Sequence, residues 1–172
     1  MRKIALLAVL ALAAVPAAFA DNTPSPSNQA ATLCNQQRTA VGTASFSLLY
    51  GGGSNAYGRC VSKLASTVSN NQANAAKQCA SERADSNFAA THASKTFAQF
   101  YGSGTHGNNA FGKCVSSKAQ TLEQAQQQST IKAAKTCKAE RSSMGAAAFT
   151  SKYGGHANAF GKCVAKAAKA NP

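Results

Sequence analysis

From Cys34 onward the chain sets its most distinctive residues four apart: Cys34, Arg38, Gly42, Phe46 and Tyr50, then Gly51. A four-residue interval returns to the same side of an α-helix, so the run predicts helix and not strand. The register recurs without a gap at Cys137, Arg141, Gly145, Phe149, Tyr153 and Gly154. It recurs again at Cys79, Arg83, Phe97, Tyr101 and Gly102, with six residues inserted before the Phe. Each run leads into a shared block: Asn55-Ala56-Tyr57-Gly58-Arg59-Cys60-Val61, Asn109-Ala110-Phe111-Gly112-Lys113-Cys114-Val115 and Asn158-Ala159-Phe160-Gly161-Lys162-Cys163-Val164. Matches at this many positions in register make the chain a triplication.

Within each copy the pattern predicts three helices. The residue eight after the first Cys is Gly42, Asn87 or Gly145. Gly and Asn tolerate left-handed backbone best, so the first helix is expected to end or bend there. A short second helix carries the Phe-x-x-x-Tyr pair and stops at Gly51, Gly102 or Gly154. The shared block opens the third helix, with its Asn as the expected N-cap. In copy one Tyr57, Cys60, Val61, Leu64, Ala65 and Val68 then fall on one apolar face. The block's Gly costs up to ~1 kcal/mol in a helix relative to Ala, which leads us to expect close packing against it in every copy.

Neither Gly nor Pro interrupts the chain between copies. Residues 115–144 are rich in Ala, Gln, Lys and Glu, all good helix formers. We therefore expect helical connectors that fuse neighbouring copies into helices of about thirty residues, with Ser69-Asn70-Asn71 the weakest point of the first. That constrains the six Cys. If Cys60 and Cys79 share one straight helix, the rise of 1.5 Å per residue keeps them about 28 Å apart, whereas a disulfide needs Cα atoms within ~7 Å. The simplest pairing is within copies: Cys34–Cys60, Cys79–Cys114 and Cys137–Cys163. The expected fold is all-α, with three tandem disulfide-stapled helical modules joined by long helical connectors. Their approximate bounds are 29–71, 72–130 and 131–172.

The N-terminus has a different character. Arg2 and Lys3 precede an apolar run from Ile4 to Ala14, and Ala18-Phe19-Ala20 is a small-x-small site. Residues 1–20 read as a secretory signal peptide, too short and wrongly flanked for a membrane span. No later apolar run is long enough to cross a bilayer, so no transmembrane segment is expected. Residues 21–28, polar with two prolines, read as a flexible leader. Export to an oxidising compartment, on a pattern that suits a bacterial exoprotein, agrees with an even Cys count used for disulfides.

Removing Arg2 and Lys3 from the 18 basic residues leaves 16 against 5 acidic ones, a net of +11. The excess is uneven: residues 29–71 carry +3, residues 72–130 carry +2 and residues 131–172 carry +7. Charged residues are only 13% of the chain, about half the usual share. Such a balance suits contact with a polyanion. The candidate anion-binding residues are Lys132, Lys135, Lys138, Arg141, Lys162, Lys166 and Lys169 in the third copy, with Lys113 and Arg59 at the matching cationic position of the other two blocks.

Catalytic and metal chemistry find little to stand on. His106 and His156 sit in loops before the third helix of their copies, and His92 lies in the six-residue insertion. The two loop His have no Asp, Glu or free Cys nearby, which is a poor start for a metal site. Glu82-Arg83 and Glu140-Arg141 recur, with Gln37-Arg38 in copy one; adjacent helical residues diverge by about 100°, so these are not facing acid pairs. The recurrent Arg reads as a structural residue that caps carbonyls or meets a partner helix, or else as an anion grip. No hydrolase, metalloprotease, phosphate-loop or EF-hand spacing occurs. The residues assign no catalytic or metal-ligating role and imply no cofactor. They favour a secreted, basic, non-enzymatic repeat protein that binds an anionic extracellular polymer or the cell-envelope surface. A membrane-active cationic protein is the alternative, and a small secreted enzyme with a site between copies the third.

Overall fold

The computed structural model describes residues 24–104 and 106–170; the expected signal peptide lies outside them. Among the described residues eight α-helices follow in order: α1 (Pro26–Val41), α2 (Thr43–Leu49), α3 (Ala56–Ala84), α4 (Phe88–Thr91), α5 (Phe97–Tyr101), α6 (Ala110–Met144), α7 (Ala146–Tyr153) and α8 (Ala159–Ala170), with a 3₁₀ turn His156–Asn158 before the last. The described residues form no β-strand beyond one isolated bridge, Ser103 to Asn108. The fold is all-α, as expected.

Both connectors are continuous. α3 has 29 residues and α6 has 35, about 43 Å and 52 Å at 1.5 Å per residue. Ser69-Asn70-Asn71 does not break α3, because Asn71 turns inward: it is buried, and its Nδ2 donates to Gln126 Oε1 across the helix pair at 3.1 Å. The disulfides are Cys34–Cys60, Cys79–Cys114 and Cys137–Cys163, with Cα separations of 6.0, 6.0 and 6.1 Å. Each fastens an antiparallel helical hairpin. Loop closure over 26 to 35 residues stabilises by about 3.5–4 kcal/mol per bridge. A chain whose core is largely Ala and Cys has need of that.

The copies do not pack as three equal units. α1 runs beside the first half of α3, and α8 beside the second half of α6, while α3 and α6 pack along each other. Modules one and three therefore lie side by side and close one shared core around Cys34, Phe46, Tyr50, Cys60, Cys137, Phe149, Phe160 and Cys163. Module two sits alone at the other end of the long helices. Its smaller core is Ala75, Cys79, Phe88, Phe97, Cys114, Val115 and Ala119. A polar layer crosses the middle: Gln37 Nε2 donates to Gln127 Oε1 (2.8 Å), Gln127 Nε2 to Leu33 O (3.0 Å), and Gln72 Nε2 to Gln29 Oε1 (3.2 Å).

Several local expectations are corrected. Residues 26–28, expected in the leader, are helical, because α1 begins at Pro26. Proline suits the first helical turn, and the Ser25 side chain accepts the Asn28 N–H at 3.3 Å. Gly42 and Gly145 end their helices at φ +80° and +83°, each donating its N–H to the Arg four residues back. Asn87 does not match them. α3 stops at Ala84 and Asn87 keeps φ −93°, because the Asp85 carboxylate accepts the Asn87 N–H (2.8 Å) and turns the chain early. Asn55 and Asn109 occupy the N-cap positions of α3 and α6 but make no side-chain cap bond, Asn109 being held left-handed at φ +61°. The block's Gly has a close neighbour in one copy only. A Cβ on Gly161 would meet the Leu49 carbonyl oxygen at 3.1 Å, whereas one on Gly58 or Gly112 would meet nothing within 4 Å.

Candidate anion-binding face

The lysines of the third module stand on two helices that Cys137–Cys163 holds together. On α6, the buried Ala133, Ala134 and Cys137 face the core, and Lys132, Lys135 and Lys138 project from the remaining circumference into solvent. On α8, Ala159, Phe160, Cys163 and Val164 are buried. Lys162, Lys166 and Lys169, spaced four and three apart, form one exposed stripe on the opposite side. The helices run antiparallel and in register, with Ser129 Oγ donating to Ala168 O at 3.2 Å. Six ammonium groups are thus carried on one stapled hairpin about 18 Å long on its shorter arm.

The only acid of residues 131–172 is Glu140, and its carboxylate is already engaged. Lys152 Nζ lies 2.7 Å from Glu140 Oε1, and the Tyr153 hydroxyl donates to both oxygens at 2.9 Å. The hydrogen bonds from Lys152 and Tyr153 hold the Glu140 carboxyl below the usual range, with Lys152 and Lys166 adding at a distance. None of Lys132, Lys135, Lys138, Lys162 and Lys169 forms an ion pair with a described carboxylate, and their positive charge is uncompensated.

The other candidates lie elsewhere or have local duties. Arg141 is half-buried near the end of α6. Arg59 reaches back to the Tyr50 carbonyl (Nη1 to O 3.5 Å), beside Gly51, and Lys162 leans over the matching Gly154-Gly155 turn. The cationic position of the block thus helps close the turn after the second helix in modules one and three. Lys113 stands some 19 residues before Lys132 on α6, about 28 Å away, and borders module two's groove. The recurrent Arg also packs structurally. Arg38 lies over the Tyr57 ring at 5.6 Å and Arg83 over Phe111 at 4.9 Å.

One constellation escaped the reading of the sequence. In every module the residue before that Arg accepts the hydroxyl of the Phe-x-x-x-Tyr tyrosine: Tyr50 to Gln37, Tyr101 to Glu82, Tyr153 to Glu140. Lys118 joins Glu82 at 2.7 Å. Burial alone would raise the Glu82 carboxyl, but the bonds from Lys118 and Tyr101 outweigh it and hold it low. Burial pushes Tyr50 up to about 12, with the Gln37 bond opposing. The signal was present as the repeated Gln/Glu-Arg pair, thirteen residues before the Tyr in modules one and three. These are fold-closing contacts against the disulfides: the Cys114 sulfur is 3.9 Å from Glu82 Oε2 and the Cys163 sulfur 4.0 Å from Glu140 Oε2. His92 is likewise occupied, stacked on Phe88 at 3.7 Å with Nδ1 2.8 Å from Phe88 O, and His106 is exposed. Among the described residues no three His, Cys, Asp or Glu gather as a metal site, and no helix is long and apolar enough to cross a membrane. No family model, curated protein or solved structure matches this chain.

Proposed function

We propose that the protein is a secreted, non-enzymatic binder of an anionic extracellular polymer or of the anionic cell-envelope surface, and that it binds through the lysines of α6 and α8. The observation that carries this reading is the exposed set Lys132, Lys135, Lys138, Lys162, Lys166 and Lys169 on one disulfide-stapled hairpin. Held on a stapled pair of helices, the lysines meet a chain of negative charges without the backbone having to order. Binding then draws on release of the polymer's counterions. The apolar side of α8 is turned into the shared core, which favours a polymer in water over insertion into lipid.

The test is binding of the purified chain to duplex DNA and to an acidic polysaccharide, measured from 50 to 300 mM salt. Affinity is expected to fall linearly in log–log form. With DNA, four to six phosphate contacts give a slope of about −4 to −5. Replacing the six lysines by Gln is expected to abolish the slope with the helical content unchanged. Salt-independent binding, or an unaltered slope in the six-fold variant, refutes the proposal.

A further inference from the structure

Modules one and three cover each other, and the contact has a direction. Leu48 and Leu49 at the end of α2 pack into the core beside α8, and the Leu49 carbonyl comes so close to Gly161 that a Cβ there would stand 3.1 Å from it. On module three Gly161 of α8 takes the Leu49 carbonyl, and Phe160 and Val164 of α8 with Ile131 and Ala134 of α6 belong to the same core cluster as Leu48 and Leu49. Module one supplies the knob and module three the socket.

Counted from their own cysteines, the same socket positions in module two are Phe111, Gly112 and Val115, with Ala73 and Ala76 opposite. All five line an open groove of about 1390 Å³ between α3 and the start of α6. Among the described residues nothing fills it: Gly112 has no described neighbour within 4 Å of where a Cβ would stand. The module-two position that matches Leu49, just before the Tyr-Gly pair, is Phe100. Phe100 is the most exposed large apolar residue described, at 45%, and rests edge-on against Tyr101 and His92. Module two therefore presents counterparts of both halves of a contact that modules one and three make with each other, and Phe100 is not among the residues that line its own groove.

We propose that module two is a self-association surface whose occupant is a second copy of this chain: Phe100 of one copy seats in the Gly112 groove of the other. Two features on either side of that contact agree with it. The chain already folds one such knob into one such socket between two of its own copies of the same unit. Module two also carries the lowest net charge of the three, +2 over residues 72–130 against +7 over residues 131–172, and meets its like with the least repulsion. The surface is separate from the lysine face, so the two proposals stand or fall independently.

Sedimentation of the purified, fully disulfide-bonded chain at 5–200 µM tests the idea with two variants, Phe100→Asp on the knob and Ala73→Arg in the socket. Both sites are exposed, and circular dichroism checks that each variant is folded. The wild type is expected to associate to the mass of a dimer or more, and each variant alone to raise the dissociation constant at least about tenfold. Mixing the variants is expected to restore association, limited to a dimer, because the Ala73→Arg copy still has its knob and the Phe100→Asp copy its socket. A wild type that stays monomeric throughout, with or without an amphiphile carried in the groove, overturns the proposal. So does association unaffected by either variant, or a mixture that fails to recover.

Discussion

The block's glycine offers three chemically identical substitutions whose outcomes should differ in sign. Gly58→Ala and Gly112→Ala each add a methyl group where nothing lies within 4 Å. Both positions are helical, third in α3 and α6, and Ala is preferred to Gly in a helix interior by up to ~1 kcal/mol. In a first turn, where the preference is diluted, about 0.5 kcal/mol of stabilisation is expected. Gly161→Ala gains the same helical preference, but its Cβ meets the Leu49 carbonyl at 3.1 Å. That oxygen belongs to the backbone of α2 and cannot swing away, so α2 and α8 must separate by a few tenths of an ångström. Strain of this kind costs about 1–3 kcal/mol, leaving a net loss of about 0.5–2.5 kcal/mol once the helical gain is subtracted. Guanidinium denaturation in dilute solution, followed by far-ultraviolet circular dichroism, reads the midpoint shifts at unchanged m. Equal shifts in the three variants, or a stabilised Gly161→Ala, would refute the one-sided packing of module one on module three.

Two further outcomes follow from the ends and the middle of the molecule. Glu123 is 8% exposed, its Oε1 has no hydrogen-bond partner among the described residues, and burial raises its carboxyl above the ordinary range. A raised folded-state value means stability that is whole below the unfolded pKa of about 4.3 and is lost as pH rises through the folded value. Glu123→Gln, an isostere of the protonated form, should leave stability unchanged near pH 4 and raise it by about 1–3 kcal/mol at pH 7.5; an equal effect at both pH values would sink this reading. At the lone end, replacing Cys79 and Cys114 together by Ala removes about 4 kcal/mol of loop-closure stabilisation from the smaller core. Hydrogen exchange should then accelerate from residue 75 to 115 while 130–141 stays protected, and uniform acceleration would show that the two cores are one cooperative unit.

Much of this architecture was legible because it rests on interval and repetition. Four-residue spacing gives helix, the even Cys at fixed distances give the hairpins, and a connector without Gly or Pro forbids Cys60 from meeting Cys79. What stayed hidden depends on which surfaces meet in space. No local pattern says that Gly161 receives Leu49 while Gly58 and Gly112 face outward, since the three blocks read alike over seven residues. The missed helix end at Asn87 is a smaller case of the same kind: one Asp85 side chain overrides the register that Gly42 and Gly145 obey. The lysine candidates were legible as residue types and as excess charge. Only the folded hairpin shows that Glu140, the acid that could have neutralised them, is taken by Lys152 and Tyr153.

An odd number of copies explains the asymmetry. Antiparallel α3 and α6 carry modules one and three to the same end, and there each supplies half of a common core. A third copy on the same two helices must stand at the opposite end without a mate. The sequence has diverged to suit each position. The paired modules keep the ten-residue Tyr-to-Cys spacing and bury their aromatic rings in one shared core. The unpaired one carries the insertion that brings Phe88 and His92 under Phe100, a local aromatic cluster in place of a neighbouring module. That substitute covers part of the module-two core and leaves the groove beside Gly112 open. Charge divides along the same line: residues 131–172 at the paired end carry +7, whereas residues 72–130 at the lone end carry +2.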